Sequence, residues 1–373
     1  NQQAWMFLSS FEKLRKDIIS SQTIINMAHT GTRTFPEIGG EVVQNTSFII
    51  LNTQVDGYCG KYVQLVEYKS TELMSANIRN ENNTFQIFQS KFKIIPGSPI
   101  AYWASKAIYN IFQQAIPFSR IAYSFQGMIT GNNNYFLKLW HEIDNRYLLI
   151  NQTDINRVNK LDVKQKWLPY NKGGSYRKWF GNNEYILRWE NRGGNLVRAR
   201  TENKEYYLKK GVTWSFIGTN AFSSRYFPNG FFWDVAGSSI FCNSNINEEL
   251  LLAIMNCKVT DYIFRILNPT MNYQVENVLS LPYYDSDYSR VIKFSEENIA
   301  ISKNDWDSFE KSWDFEAHPL INYQENQSKL SDVYQIWEEM SEKQFIQLKA
   351  NEEDLNRIFI EIYDLQDVLT PEV

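Results

Sequence analysis

The chain has 373 residues, 43% of them hydrophobic and 15% aromatic, with a formal net charge of −4. That length predicts two or three domains, and that apolar content excludes wholesale disorder. No apolar run approaches the roughly 18 residues that span a bilayer, and no basic-then-apolar leader opens the chain, so a soluble, cytoplasmic protein with no membrane partner is expected.

The chain begins at Asn1, without a Met and straight into an amphipathic pattern, which reads as a piece of something longer. Phe7, Phe11, Leu14 and Ile18 recur at steps of 4, 3 and 4, one face of a helix over residues 7–20. TIINMAHT, EVV and SFIIL follow as β-branched runs divided by Gly39-Gly40 and Asn45-Thr46. They predict strands closing a sheet, with SFIIL fully buried. A helix followed by strands, with nothing before it, has the look of the last third of an α/β domain. Residues 53–96 are irregular, and Pro96 and Pro99 in IIPGSPIAYWAS break any helix, which places a domain junction there. Short strands, Gly/Asn turns and many rings between about 105 and 290 predict a mixed α+β region. Leu251, Ile254, Val259, Tyr262 and Ile266 share a face of one helix over 247–267, stopped by Asn268-Pro269. The tail from about 328 is helical, with a seam of Leu348, Leu355, Ile358, Ile362 and Leu365 at spacings of 7, 3, 4 and 3.

Charge is partitioned along the chain. Residues 151–210 hold fourteen Lys/Arg against six Asp/Glu, whereas 301–373 hold six against seventeen. A basic middle and an acidic tail suggest an anion-binding surface followed by a differently used helical module. Catalytic signatures are missing: there is no GxSxG, HExxH or Walker lysine loop, and no G-x-G at all. The acid pairs Glu248-Glu249 and Glu338-Glu339 read as solvated helix faces. Cys59, Cys242 and Cys257, like His29, His141 and His318, are dispersed, so neither a disulfide framework nor a metal site is expected.

The stretch YNKGGSYRKWFGNNEYILRWENRGGNLVRAR, Tyr170–Arg200, gathers seven cations, six rings and five glycines against two acids. Lys172, Arg177, Lys178, Arg188, Arg192, Arg198 and Arg200 could neutralise phosphates, and Arg can grip a guanine edge with two hydrogen bonds. Tyr176, Trp179, Tyr185 and Trp189 could stack on bases or brace the sheet. A hairpin pair with its rings inward and its arginines merely solvated fits the composition equally. A second loop, QGMITGNNNYFLKLWHEI, sets Asn132, Asn133 and Asn134 after Gly131; asparagine can read adenine or simply turn the chain.

Several of these stretches line up with a family. WMFLSSFEKLRKDII, IPGSPIAYWAS, GMITGNNNYFLKLWHEI and YNKGGSYRKWFGNNEYILRWEN do so, with TWSFIGTNAFSSRYFPNGFFWDVAGSSIF, LNPTMNYQVENVLSLP and EEDLNRIFIEIYDLQDVLTPEV. In that order they resemble the C-terminal part of PglX, the adenine-specific DNA methyltransferases of type 1 BREX phage-defence systems. More distantly the chain is similar to type I and fused type II modification enzymes. The resemblance implies an α+β chain in four parts. Residues 1–52 would be the remnant of a Rossmann-like α/β methyltransferase domain, and 53–99 a connecting region. Residues 100–290 would be a mixed α+β target recognition domain, and 291–373 an α-helical C-terminal region. In the family, S-adenosylmethionine and the flipped adenine are held by a Gly-rich motif and an Asn-Pro-Pro-Tyr turn. Neither is present here, so this segment should bind no cofactor and be inactive alone, with catalysis in a missing N-terminal methyltransferase portion. Phe35, in TFPEIGGEVVQNTSFIIL, matches the position of an aromatic residue that packs on the flipped base, although a ring capping the sheet edge reads as well.

The implied function is recognition of double-stranded DNA for methyl transfer to adenine N6, without a metal. Two other readings stay open. The acidic tail could dock other BREX proteins, with the basic stretch incidental. The chain could instead be an aromatic-rich carbohydrate-binding domain, although sugar sites do not need seven cations in thirty-one residues.

Overall fold

The structure, a computed structural model, describes residues 1–35, 37, 43–162, 165–198, 201–218, 221–243, 246–268, 272–324 and 329–373. They form two compact α+β units: residues 1–116 with 263–270, and residues 117–262 with 271–373.

The first unit is built on the strand Thr23–Gly31. It pairs antiparallel with Asn45–Leu51 on one side and parallel with Cys59–Gln64 on the other, and Thr84–Phe88 closes the far edge. Of the expected strand runs, TIINMAHT and SFIIL are therefore present. Residues 59–64 and 84–88, expected in a connecting region, are strands of the same sheet. SFIIL is an edge strand rather than a fully buried one: burial alternates along it, and Ile49 and Leu51 stand exposed. Alternation is what a strand gives when only one face is covered. Gly39, Gly40, Glu41 and Val42 lie outside the described residues.

The first helix also differs from its sequence pattern. It spans Glu12–Ser21 and buries Arg15, Ile18 and Ile19, while Phe11 and Leu14 face outward. Arg15 explains the rotation. Its guanidinium donates four hydrogen bonds of 2.7–3.0 Å to the carbonyls of Trp5, Leu8 and Gly97, so a cation occupies the place an apolar residue was expected to take. Burial still pushes its pKa down to about 10. Beneath the sheet, Met6, Phe7, Ile19, Met27, Tyr62 and Tyr102 form the core, with the rings of Tyr62 and Tyr102 stacked 5.2 Å apart. His29 is buried beside them. Its Nδ1 lies 3.0 Å from the Tyr102 hydroxyl and its Nε2 2.5 Å from Gln3 Oε1, and burial lowers its pKa to about 4.

Two four-stranded sheets organise the second unit. One runs in the order Ser224–Phe227, Gly211–Trp214, Ser239–Cys242, Ala122–Phe125, antiparallel throughout. The other runs Phe232–Trp233, Trp167–Asn171, Tyr185–Arg188, Leu137–Leu139. Their core is aromatic: Trp189, Tyr207, Phe232, Trp233 and Phe241 pack with centroids 4.5–6.1 Å apart.

The single helix expected over 247–267 is two, Glu248–Asn256 and Lys258–Leu267. Cys257 between them is extended (ψ 160°), and Asn356 Oδ1 accepts a 2.9 Å hydrogen bond from the Lys258 amide, capping the second helix from outside. A residue 98 positions away thus decides where the helix breaks. Asn268 follows the second helix, and Pro269 lies outside the described residues. The tail holds the helix Leu330–Ile362, 33 residues and about 50 Å long. Its second half packs on the helix Ser289–Asp307. Of the expected seam, Leu355 and Leu365 are buried while Leu348, Ile358 and Ile362 are half-buried. The buried line includes Asn351, Glu352 and Asn356.

Candidate nucleic-acid interface

The ribbon Tyr170–Arg200 is one hairpin with a long, folded turn. Trp167–Asn171 leads in, Tyr185–Arg188 leads out, and the chain between them doubles back through Gly173 (φ 80°) and Gly174 (φ 140°). A Cβ on Gly173 would sit 2.7 Å from the Ala236 carbonyl oxygen, so only glycine fits that turn. Trp179 itself holds φ 69°, a conformation rare for a bulky residue. It is held there from three sides: its amide donates to the Ser224 carbonyl (3.0 Å), its carbonyl accepts from the Tyr226 amide (2.7 Å), and its indole Nε1 donates to Glu352 Oε1 (2.6 Å).

Most of the ribbon's rings are structural. Trp179 and Trp189 are buried, Trp189 stacking on Phe232 and donating to Asn159 Oδ1 at 2.8 Å, while Tyr185 is half-buried. Tyr176 is the exception among the four rings weighed for stacking, about half exposed at 49%.

The cations divide into two groups. Lys172 lies 3.6 Å from Asp234 Oδ2. Arg177 pairs with Asp305, donates to the Phe180 carbonyl and sits 5.1 Å over the Trp306 ring. Lys178 donates to Glu352 Oε2 at 2.8 Å. Arg188 pairs with Glu190 at 2.5 Å and lies over the Tyr135 ring at 4.7 Å. These four are committed within the fold, two of them to the acidic tail. Arg192 and Arg198 are exposed, with no ion pair among the described residues. Arg200 lies outside the described residues.

The two free arginines sit on a loop that is joined to the asparagine loop. Ile129 and Arg198 exchange backbone hydrogen bonds of 2.9 Å in both directions. Gly131 (φ 77°) abuts Val197 so closely that a Cβ there would lie 2.1 Å from Val197 Cγ2. On this joined edge Asn132 accepts the Tyr135 amide (3.2 Å) and Asn133 accepts the Thr130 hydroxyl (2.5 Å), while Asn134 is exposed. Arg192 occupies a left-handed turn (φ 56°) just before Gly193-Gly194, which presents its side chain outward. Two exposed guanidinium groups and an exposed amide on one rigidly joined loop pair can engage an anionic backbone and base edges. Phe35 is exposed (47%) on the connection between the strands Thr23–Gly31 and Asn45–Leu51.

Two residues were not anticipated from sequence. Glu352 joins ribbon to tail, and its signal was its phase: four residues after Leu348 and three before Leu355, it falls on the apolar seam. Arg225 is 1% exposed, and among the described residues its guanidinium makes 3.4 Å contacts to the Arg177 carbonyl and the Ser215 hydroxyl. Burial first, and Arg177 second, lower its pKa to about 10. Nothing in its surrounding sequence marks it.

In fold the chain matches the type IIL restriction-modification enzyme MmeI, solved in complex with DNA, with a TM-score of 0.53 over 99% of this chain and 47% of that one, at 12% identity. The architecture is therefore shared with a restriction-modification enzyme. No family model matches. By sequence, however, the chain is 38% identical over its whole length to the adenine-specific methyltransferase PglX of Lacticaseibacillus casei (strain Zhang). Over 97% of its length it is 37% identical to the adenine-specific methyltransferase BrxX of Escherichia coli O9:H4 (strain HS). The chain spans 32% and 29% of the length of these two adenine-specific methyltransferases.

Proposed function

We propose that this chain is the part of a site-specific DNA adenine-N6 methyltransferase that recognises the target duplex, within a cytoplasmic BREX phage-defence system. Residues 1–52, at the start of the first unit, are the end of the methyltransferase fold, and Phe35 stacks on the flipped adenine. Residues 100–290 are the recognition domain and 291–373 its helical support. The methyl donor is S-adenosylmethionine, held with the reacting adenine by the parts of such a protein that this chain does not span. The observation that carries the reading is the joined loop pair: Arg192, Arg198 and Asn134 remain open on it while the ribbon's other described cations are paired internally.

The test is duplex binding across a salt series. Arg192→Glu/Arg198→Glu is expected to weaken binding about tenfold or more and to flatten the log–log salt slope by roughly 2, one for each lost phosphate contact. A folded double variant with unchanged affinity and slope would overturn the assignment of the interface.

A further inference from the structure

The half of the long helix carrying residues 330–349 is nearly bare. Of its side chains only Val333 is fully buried, and Tyr334, Met340, Phe345 and Ile346 are exposed, Phe345 at 65%. Most of a protein helix's stability comes from the packing of its apolar face. Large apolar side chains gathered on one element mark an interaction surface. Beside them runs an open groove of about 490 Å³, walled by this helix, the helix Ser289–Asp307 and the ribbon turn at Tyr176–Trp179. The long helix lends it Ser341, Phe345, Leu348 and Glu352, at steps of 4, 3 and 4. That is the 3.5-residue spacing with which one helix receives the side chains of another. Ile301 and Asp305, one turn apart, face them from the second wall.

Charge selects the occupant. The groove's Arg177 and Lys178 are matched by its Asp305 and Glu352, and its Lys349 by Glu353 one turn on. On the same long helix Asp332, Glu338, Glu339 and Glu342 are exposed, and residues 301–373 carry seventeen acids against six cations. Such a field repels nucleic acid and attracts cations. We propose that the groove receives a basic amphipathic helix of a partner protein, its apolar stripe over Phe345 and Leu348 and its Lys or Arg side chains against Glu338, Glu339 and Glu342. This surface is separate from the loops assigned to DNA, and the proposal does not rest on that assignment.

A fluorescent Lys/Leu helical peptide, titrated into the full chain, tests it. Its controls are a scramble of the same composition and a Glu/Leu counterpart. The Lys/Leu helix should bind, protect the amides of residues 341–348 from hydrogen exchange, and leave duplex binding unchanged. The scramble and Phe345→Glu should each weaken binding by about tenfold, and Glu338→Lys/Glu339→Lys/Glu342→Lys by at least as much. Phe345 is exposed, so its variant keeps the fold, and an unchanged melt verifies that. Equal binding of the scramble or of the Glu/Leu peptide would overturn the proposal. So would indifference to Phe345→Glu, or sedimentation showing a second copy of the chain seated over Phe345.

Discussion

Glu352 accepts from the Lys178 ammonium at 2.8 Å and from the Trp179 indole at 2.6 Å, and is itself nearly buried. Removing one partner of such a set leaves the others desolvated and unmatched, so Glu352→Ala should cost about 3 kcal/mol in urea unfolding. Glu352→Gln, which keeps an acceptor for Trp179, should cost clearly less; equal losses would mean that packing rather than the carboxylate matters. His29 makes a different demand. Its pKa of about 4 lies below the ordinary 6.5, so between those values the unfolded chain takes up a proton that the folded one refuses. Stability is therefore lost as pH falls from about 6.5 to 4, by roughly 3 kcal/mol in total. The difference between wild type and His29→Gln, followed by chemical unfolding at several pH values, should change across that window and be flat above it.

At the scale of the element, the sequence pattern located helices and strands better than it oriented them. The periodicity before Ser21 predicted a helix that exists, but the buried face is set by Arg15 and its three carbonyl acceptors, which no hydrophobic count anticipates. The break at Cys257 is of the same kind, because Asn356 caps Lys258 across the fold. Replacing that cap should cost about 1 kcal/mol. Asn356→Ala is thus expected to lower the melting temperature modestly and to speed hydrogen exchange at Lys258 and Val259 first. Uniform acceleration across both helices would show that the cap does not control the break. The edge strand Asn45–Leu51 was misjudged because a short β-branched run reads alike in the centre and at the edge of a sheet.

Across the whole molecule, the uneven charge was legible but its arrangement was not. Composition marked residues 151–210 as basic and 301–373 as acidic. Only three-dimensional pairing shows that Asp305 and Glu352 of the tail hold Arg177 and Lys178, which leaves Arg192 and Arg198 unspent. Sequence could nominate seven cations; it could not sort them, since partners as distant as 128 and 174 positions leave no local trace. The ribbon's Trp179 turn and the tail's two carboxylates consequently form one inheritable block. A chimaera that takes its ribbon from a relative must take the matching tail with it, or strand Asp305 and Glu352 without cations. The loops bearing Arg192–Arg198 and Gly131–Asn134 touch no part of that block through a hydrogen bond or ion pair among the described residues, so they are the natural cassette for exchange.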